Sequence, residues 1–99
     1  MNHNRFLRIG DILPAVLKSV GLDKKLKERE LLSLWPTVVG EEIAARSRAV
    51  RVDRGVLYVE VSHSAWLQEL HFMEKEIFRK LRESAPDIEF HRIRFETGQ

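Results

Sequence analysis

The chain has 99 residues, 43% of them hydrophobic, and no cysteine. One domain around one core fits that length, and the missing thiols exclude a disulfide scaffold, a cysteine-ligated zinc site and a thiol nucleophile. Lys and Arg number 17 against 15 Asp and Glu, a net charge of +2, so any basic surface has to come from placement rather than excess.

The longest apolar run, Val56-Leu57-Tyr58-Val59, is far short of the ~20 residues a membrane span needs. Met1 to Arg5 lead into no apolar stretch of signal-peptide length. A soluble, cytoplasmic protein is expected. Residues 1–8 read as a flexible segment, 9–96 as a single domain and 97–99 as a polar tail.

Asp11 has the chemistry of an N-cap, and Pro14 falls in the first turn, where its missing N–H costs nothing. Ile12, Ala15, Val16 and Val20 follow at helical spacing and Gly21 supplies a stop, which predicts a first helix over 12–20. Asp23 caps a second over 24–39. Leu26, Leu31, Leu34, Trp35 and Val38 form its apolar face, with Lys24, Lys25, Lys27 and Arg29 in water. Pro36 is expected to bend this helix or start a new segment. Glu41 to Ala45 add at least one turn after Gly40.

The period then changes to two. Val50 and Val52 alternate with Ala49, Arg51 and Asp53 in a short strand. Asp53-Arg54-Gly55 is a tight turn, with Gly55 supplying the positive φ of a hairpin bulge. The next strand, Val56 to Ser62, points Leu57, Val59 and Val61 one way and Tyr58, Glu60 and Ser62 the other. Ser62 or Ser64 caps a long helix over 64–84, whose buried stripe is Trp66, Leu70, Met73, Ile77 and Leu81. Pro86 stops it. Ile88 to Phe95 reads as a third strand, with Ile93 and Phe95 on one face and Arg92 and Arg94 on the other.

The predicted fold class is therefore α+β, in the order α-α-β-β-α-β. A three-stranded sheet carries helices on the face of Val50, Val52, Leu57, Val59, Val61, Ile93 and Phe95, and its other face is wet.

Nothing converges for catalysis. The four histidines, His3, His63, His71 and His91, lie in separate elements, and there is no metalloprotease, nucleophile-elbow or phosphate-loop motif. His71 and Glu74 are one turn apart, too few ligands for a metal. No cofactor, metal or small-molecule substrate is expected.

The arginines carry more. Arg46, Arg48, Arg51 and Arg54 fall within nine positions. By parity Arg51, Tyr58, Arg92 and Arg94 share the uncovered side of the sheet, where guanidiniums beside an aromatic ring suit a phosphate backbone and a stacked base. Glu60 shares that face and opposes it. The same residues also read as a solvated sheet face with Tyr58 lying on arginine stems. On the long helix Lys75, Arg79 and Arg82 form a second basic stripe, read as solvation before binding. Phe72 falls off the buried stripe. It packs on the first helix, the preferred reading, or stands exposed as an anchor for a partner.

Five segments in this order carry a resemblance: Leu34-Trp35-Pro36-Thr37-Val38-Val39-Gly40, Ile43-Ala44, Gly55-Val56-Leu57-Tyr58-Val59-Glu60-Val61, Ser64-Ala65-Trp66-Leu67-Gln68-Glu69-Leu70 and Ile93-Arg94-Phe95. Together they resemble the DciA family of bacterial proteins from about Ile9 to Phe95. The resemblance implies a KH-like domain of the second type without the Gly-x-x-Gly loop, a non-enzymatic role in DNA replication, binding of single- or double-stranded DNA, and contact with the replicative helicase DnaB that assists its loading. Where the family usually shows His and Pro before the first strand, this chain has Arg46 and Ala49.

The expected function is thus that of a nucleoid-associated replication accessory protein. Arg51, Tyr58, Arg92 and Arg94, with Arg46, Arg48 and Arg54 at the rim, would hold the nucleic acid. Phe72, Lys75 and Arg79 would meet the helicase. The alternatives are an RNA-binding KH-like module and a pure protein-interaction adaptor.

Overall fold

A computed structural model describes residues 21–97. The expected helix over 12–20 and the flexible segment 1–8 lie outside the described residues. Within them the order is α1 (Leu22–Val39), α2 (Glu41–Ala44), β1 (Ser47–Asp53), β2 (Val56–Val61), α3 (Ala65–Ser84) and β3 (Arg92–Thr97). The fold is α+β: helices cover one face of a three-stranded mixed sheet, compatible with a small KH-like fold.

Helix α1 buries Leu31 and Trp35 against the sheet. Leu26, assigned to that face from sequence, is 53% exposed. It precedes Leu31 by five residues, about 140° around the helix at 3.6 residues per turn, so the two cannot share one stripe. Pro36 neither ends α1 nor starts a segment. The helix runs on to Val39, and the Gly40 N–H closes it onto the Pro36 carbonyl at 3.0 Å.

A buried relay locks α1 and α2 to the sheet. The Trp35 indole N–H donates to Ser47 Oγ at 3.0 Å, and the Ser47 hydroxyl donates to the Ile43 carbonyl at 2.7 Å. Ser47 is the buried polar side chain among the described residues, and both of its bonding capacities are used. A hydroxyl serves as donor and acceptor at once, so no apolar residue of that size could replace it.

Strand β2 is the middle of the sheet. It pairs antiparallel with β1 and parallel with β3. Leu57, Val59 and Val61 point into the core and have no exposure, as the alternation of β2 requires. Helix α3 supplies the crossover that parallel pairing demands. Its buried stripe is Leu70, Ile77 and Leu81, with Trp66 and Met73 half-buried beside it.

Strand β1 departs from simple alternation. Ala49 pairs with Val59 and Arg51 with Tyr58, so Val50 is an extra residue, a β-bulge. The bulge inverts the parity of everything before it. Ala49 packs against the core, and Val50 is not the core residue expected from its spacing to Val52. The hairpin also differs from expectation. Arg54 and Gly55 both have positive φ, 53° and 79°, as in a two-residue type I′ loop, with Asp53 paired to Val56. The extra residue is in mid-strand, not at the turn.

Two other expectations are corrected. Neither Ser62 nor Ser64 caps α3 with its side chain; the Ala65 N–H donates to His63 Nδ1 at 3.3 Å instead. The third strand begins at Arg92 rather than Ile88. Ile88 and Phe90 are buried, but the backbone there is held from α3. Arg82 donates from Nη1 to the Ile88 carbonyl at 2.7 Å and lies over the Phe90 ring, which also meets Phe78 at 4.9 Å between centroids. Two apolar side chains plugging the end of a core imitate strand alternation without a ladder.

Ser47→Ala should lower unfolding free energy by about 1–3 kcal/mol in urea titrations, because it strands the buried Trp35 N–H. Gly55→Ala should cost about 1–2 kcal/mol through its positive φ alone. A Cβ there would also meet the His91 ring at 2.6 Å, which adds to the loss.

Candidate nucleic-acid interface

The register lays the uncovered face out in three rows. At the hairpin end Asp53 faces Val56, and Val56 faces Arg92. In the middle, Arg51, Tyr58 and Arg94 stand side by side across all three strands. At the far end are Arg48, Glu60 and Glu96. Arg48 and Arg51 reach the same face only because the bulge lies between them. In an unbroken strand, residues three apart point to opposite sides.

The middle row is the aromatic one. The Arg51 guanidinium carbon sits 3.9 Å from the centroid of the half-buried Tyr58 ring. The far row is neutralised in place. Arg48 pairs with Glu60 at 3.0 Å, and Glu96 approaches Arg94 Nε at 3.6 Å. Glu60 and Glu96 are direct cross-strand neighbours, a repulsive arrangement that the two arginines offset. Four guanidiniums therefore meet three carboxylates on this face, and the positive charge gathers in the middle row, between Asp53 at the hairpin end and Glu60 and Glu96 at the far end.

Arg54 extends that charge. It occupies the hairpin tip, which His91 anchors: the His91 N–H donates to the Gly55 carbonyl at 2.8 Å, and His91 Nε2 lies 3.2 Å from the Arg54 carbonyl. Arg54 and His91 line a depression of about 320 Å³ with Lys24 and Glu89. Arg46, by contrast, lies before β1 with its guanidinium over the Trp66 ring, 4.9 Å from the centroid. It joins Arg48 and Glu60 in a separate hollow of about 360 Å³ at the α2–β1 corner. The structure thus brings together Arg51, Tyr58, Arg92 and Arg94, adds Arg54 at one end, and sets Arg46 and Arg48 at the other.

The helical candidates divide. Phe72 does not pack: it is 83% exposed on α3. Lys75 is exposed one turn away. Arg79 is committed to its own helix, bonded to Glu76 and Glu83. That pairing holds the Glu76 carboxyl below its ordinary value of 4.5, through the Arg79 hydrogen bond first and its charge second. The same contacts raise Arg79. Arg82 belongs to the loop described above, so the expected basic stripe of Lys75, Arg79 and Arg82 is not a surface of three available cations.

Sequence reasoning missed Glu96, the counter-charge beside Glu60, and the structural use of Arg82. Alternation through β3 could have found Glu96, two residues beyond Arg94. No local signal marks Arg82. Among the described residues no group of three or more His, Asp or Glu could hold a metal, and no described helix is long and apolar enough to cross a membrane.

This geometry defines a small KH-compatible α+β domain that displays arginines around a tyrosine on an open sheet. The chain belongs to the DciA family: the family model described as "Dna[CI] antecedent, DciA" matches residues 8–95. The family is associated with helicase loading and is not a known class of enzyme. Among curated proteins, the chain is similar to a UPF0232 protein of Rhodococcus jostii, 32% identical over 78 residues, which are 79% of this chain and 42% of the relative. A UPF0232 protein of Mycolicibacterium smegmatis is 26% identical over 73 residues, 74% of this chain and 38% of the relative. One of Mycobacterium tuberculosis is 29% identical over 73 residues, 74% and 39%. The chain thus matches about two fifths of the length of these relatives.

The Glu76–Arg79 contact has a pH signature. Because the folded carboxyl titrates below its unfolded value, the pair stabilises α3 above about pH 4.5, and that contribution is lost as the pH falls through the folded value. Carboxyl-carbon NMR should show Glu76 titrating below 4.5 in the native chain and returning toward 4.5 in Arg79→Ala.

Proposed function

We propose that this domain is a non-enzymatic replication accessory module that binds DNA without sequence preference on its open sheet face and docks on the replicative helicase to assist its loading. The observation that carries the DNA half is the row Arg51–Tyr58–Arg94, with Arg92 and Arg54 toward the hairpin. Nothing in that row needs to react. Guanidiniums bind phosphate oxygens in their plane, and an aromatic beside them accepts any base, so the surface suits a backbone followed without reading its sequence. Arg48 and Arg46 would meet the strand where it leaves the sheet.

The helicase half rests on family membership and on Phe72, an apolar ring in water on α3, the helix whose buried stripe packs on the sheet face opposite the arginines. Phe72 and Lys75 would contact the partner, while Arg79 keeps α3 in shape. This role places the protein in the cytoplasm, at the nucleoid.

A fluorescence-anisotropy titration of a labelled single strand across a salt series tests the DNA half. Four phosphate contacts, from Arg51, Arg54, Arg92 and Arg94, give a log–log slope near −3 at about −0.7 per contact. Engagement of Arg46 and Arg48 as well steepens it toward about −4. Flat titrations at low salt would remove this half and leave an adaptor. Tighter binding of a matched RNA in competition would transfer the reading to RNA, since only RNA offers a 2′-hydroxyl.

A further inference from the structure

We propose that the exposed face of the Arg51 guanidinium is the platform on which a base stacks, and that Tyr58 is a positioning residue holding that platform flat. The inference rests on the DNA reading above and changes which residue the base touches.

The geometry separates the two roles. Tyr58 is half-buried on the central strand, flanked by Arg51 on one side and Arg94 on the other. With the guanidinium carbon only 3.9 Å from the ring centroid, one group lies against the π-face of the other at van der Waals distance. A base approaching the phenol on that side would first have to lift the arginine away. Arg51 is the outer member: it is exposed and on an edge strand. Unlike Arg48 and Arg94, it has no carboxylate within ion-pairing distance among the described residues.

A guanidinium is planar and has two faces. With its carbon 3.9 Å from the ring centroid, the Arg51 guanidinium can set one face on the phenol and leave the other for a base, while the N–H groups around its edge remain available to a phosphate oxygen. Arg51 can thus take a base on its plane and the adjoining backbone at its rim. The phenol lowers the entropic cost by fixing an otherwise flexible side chain before the strand arrives.

The test compares a short labelled single strand with an abasic strand of equal length at one low salt concentration. The full chain should bind the normal strand about tenfold more tightly, the effect of roughly one stacked base. Arg51→Lys keeps the charge and loses the plane, so it should close that gap, weakening the normal strand by about tenfold more than it weakens the abasic one. Tyr58→Phe should preserve the gap, because a phenyl ring still supports the guanidinium. Tyr58→Leu should close it, and Arg51→Lys added to Tyr58→Leu should do nothing more. The proposal is overturned if both strands bind the unaltered chain equally. It is also overturned if Arg51→Lys keeps the gap while Tyr58→Leu loses it, which would put the base on the phenol. Binding to neither strand would instead remove the DNA reading itself, and this inference with it.

Discussion

The extra residue at Val50 is the constraint on which the open face depends. Ser47 must point inward to receive the Trp35 indole, and Val52 packs against the core five residues later. Strict alternation cannot satisfy both, because positions five apart fall on opposite sides of a strand. One inserted residue reconciles them. The same insertion turns Arg48 and Arg51 to the same side, so the requirement that closes the core also gathers charge on the wet face. A bulge carries a local increase in twist and an interrupted ladder, and it sits here on an edge strand, where one partner rather than two is disturbed.

The charges on that face are poised rather than simply accumulated. At the far end Arg48 is offset by Glu60 and Arg94 is approached by Glu96, and these two glutamates face each other across β2 and β3. The middle row carries no acid, and the hairpin end carries Asp53 alone beside Arg92 and Arg54. A chain with a net charge of only +2 can therefore present a local positive field without being basic throughout, and the field has a direction along the strands. That polarity comes from register, which composition does not report.

Legibility in the sequence followed the strength of the periodic signal. The alternation of β2, the buried stripe of α3 and the inward Ile93 and Phe95 could all be read, because one face of each element is dry and the other wet. The α+β class and the family followed. β1 was misread at Ala49 and Val50 because a bulge has no composition of its own: Ala-Val-Arg-Val scans equally well in either parity, and only the pairing with Val59 and Tyr58 decides. Ile88 and Phe90 scanned as strand because both are buried two residues apart, yet Arg82 and Phe78 hold them there. On the candidate site, parity placed Arg51, Tyr58, Arg92 and Arg94 on one face. It could not foresee that Arg46 would lie over Trp66; for Phe72 the helical spacing left packing and exposure both open, and the ring stands in water.

The mixed pairing of the sheet sets an order of assembly. β1 and β2 meet through a two-residue loop, an event of about 1–10 μs for an isolated hairpin. β3 can join only after all of α3 has been laid across the sheet, since a parallel neighbour must return from the opposite end. On the ribosome, Arg51 and Tyr58 can take their places while Arg94 is still being synthesised or threaded. The row of three is completed by the last strand to arrive, so a nascent chain acquires its full cationic face only at the end of folding.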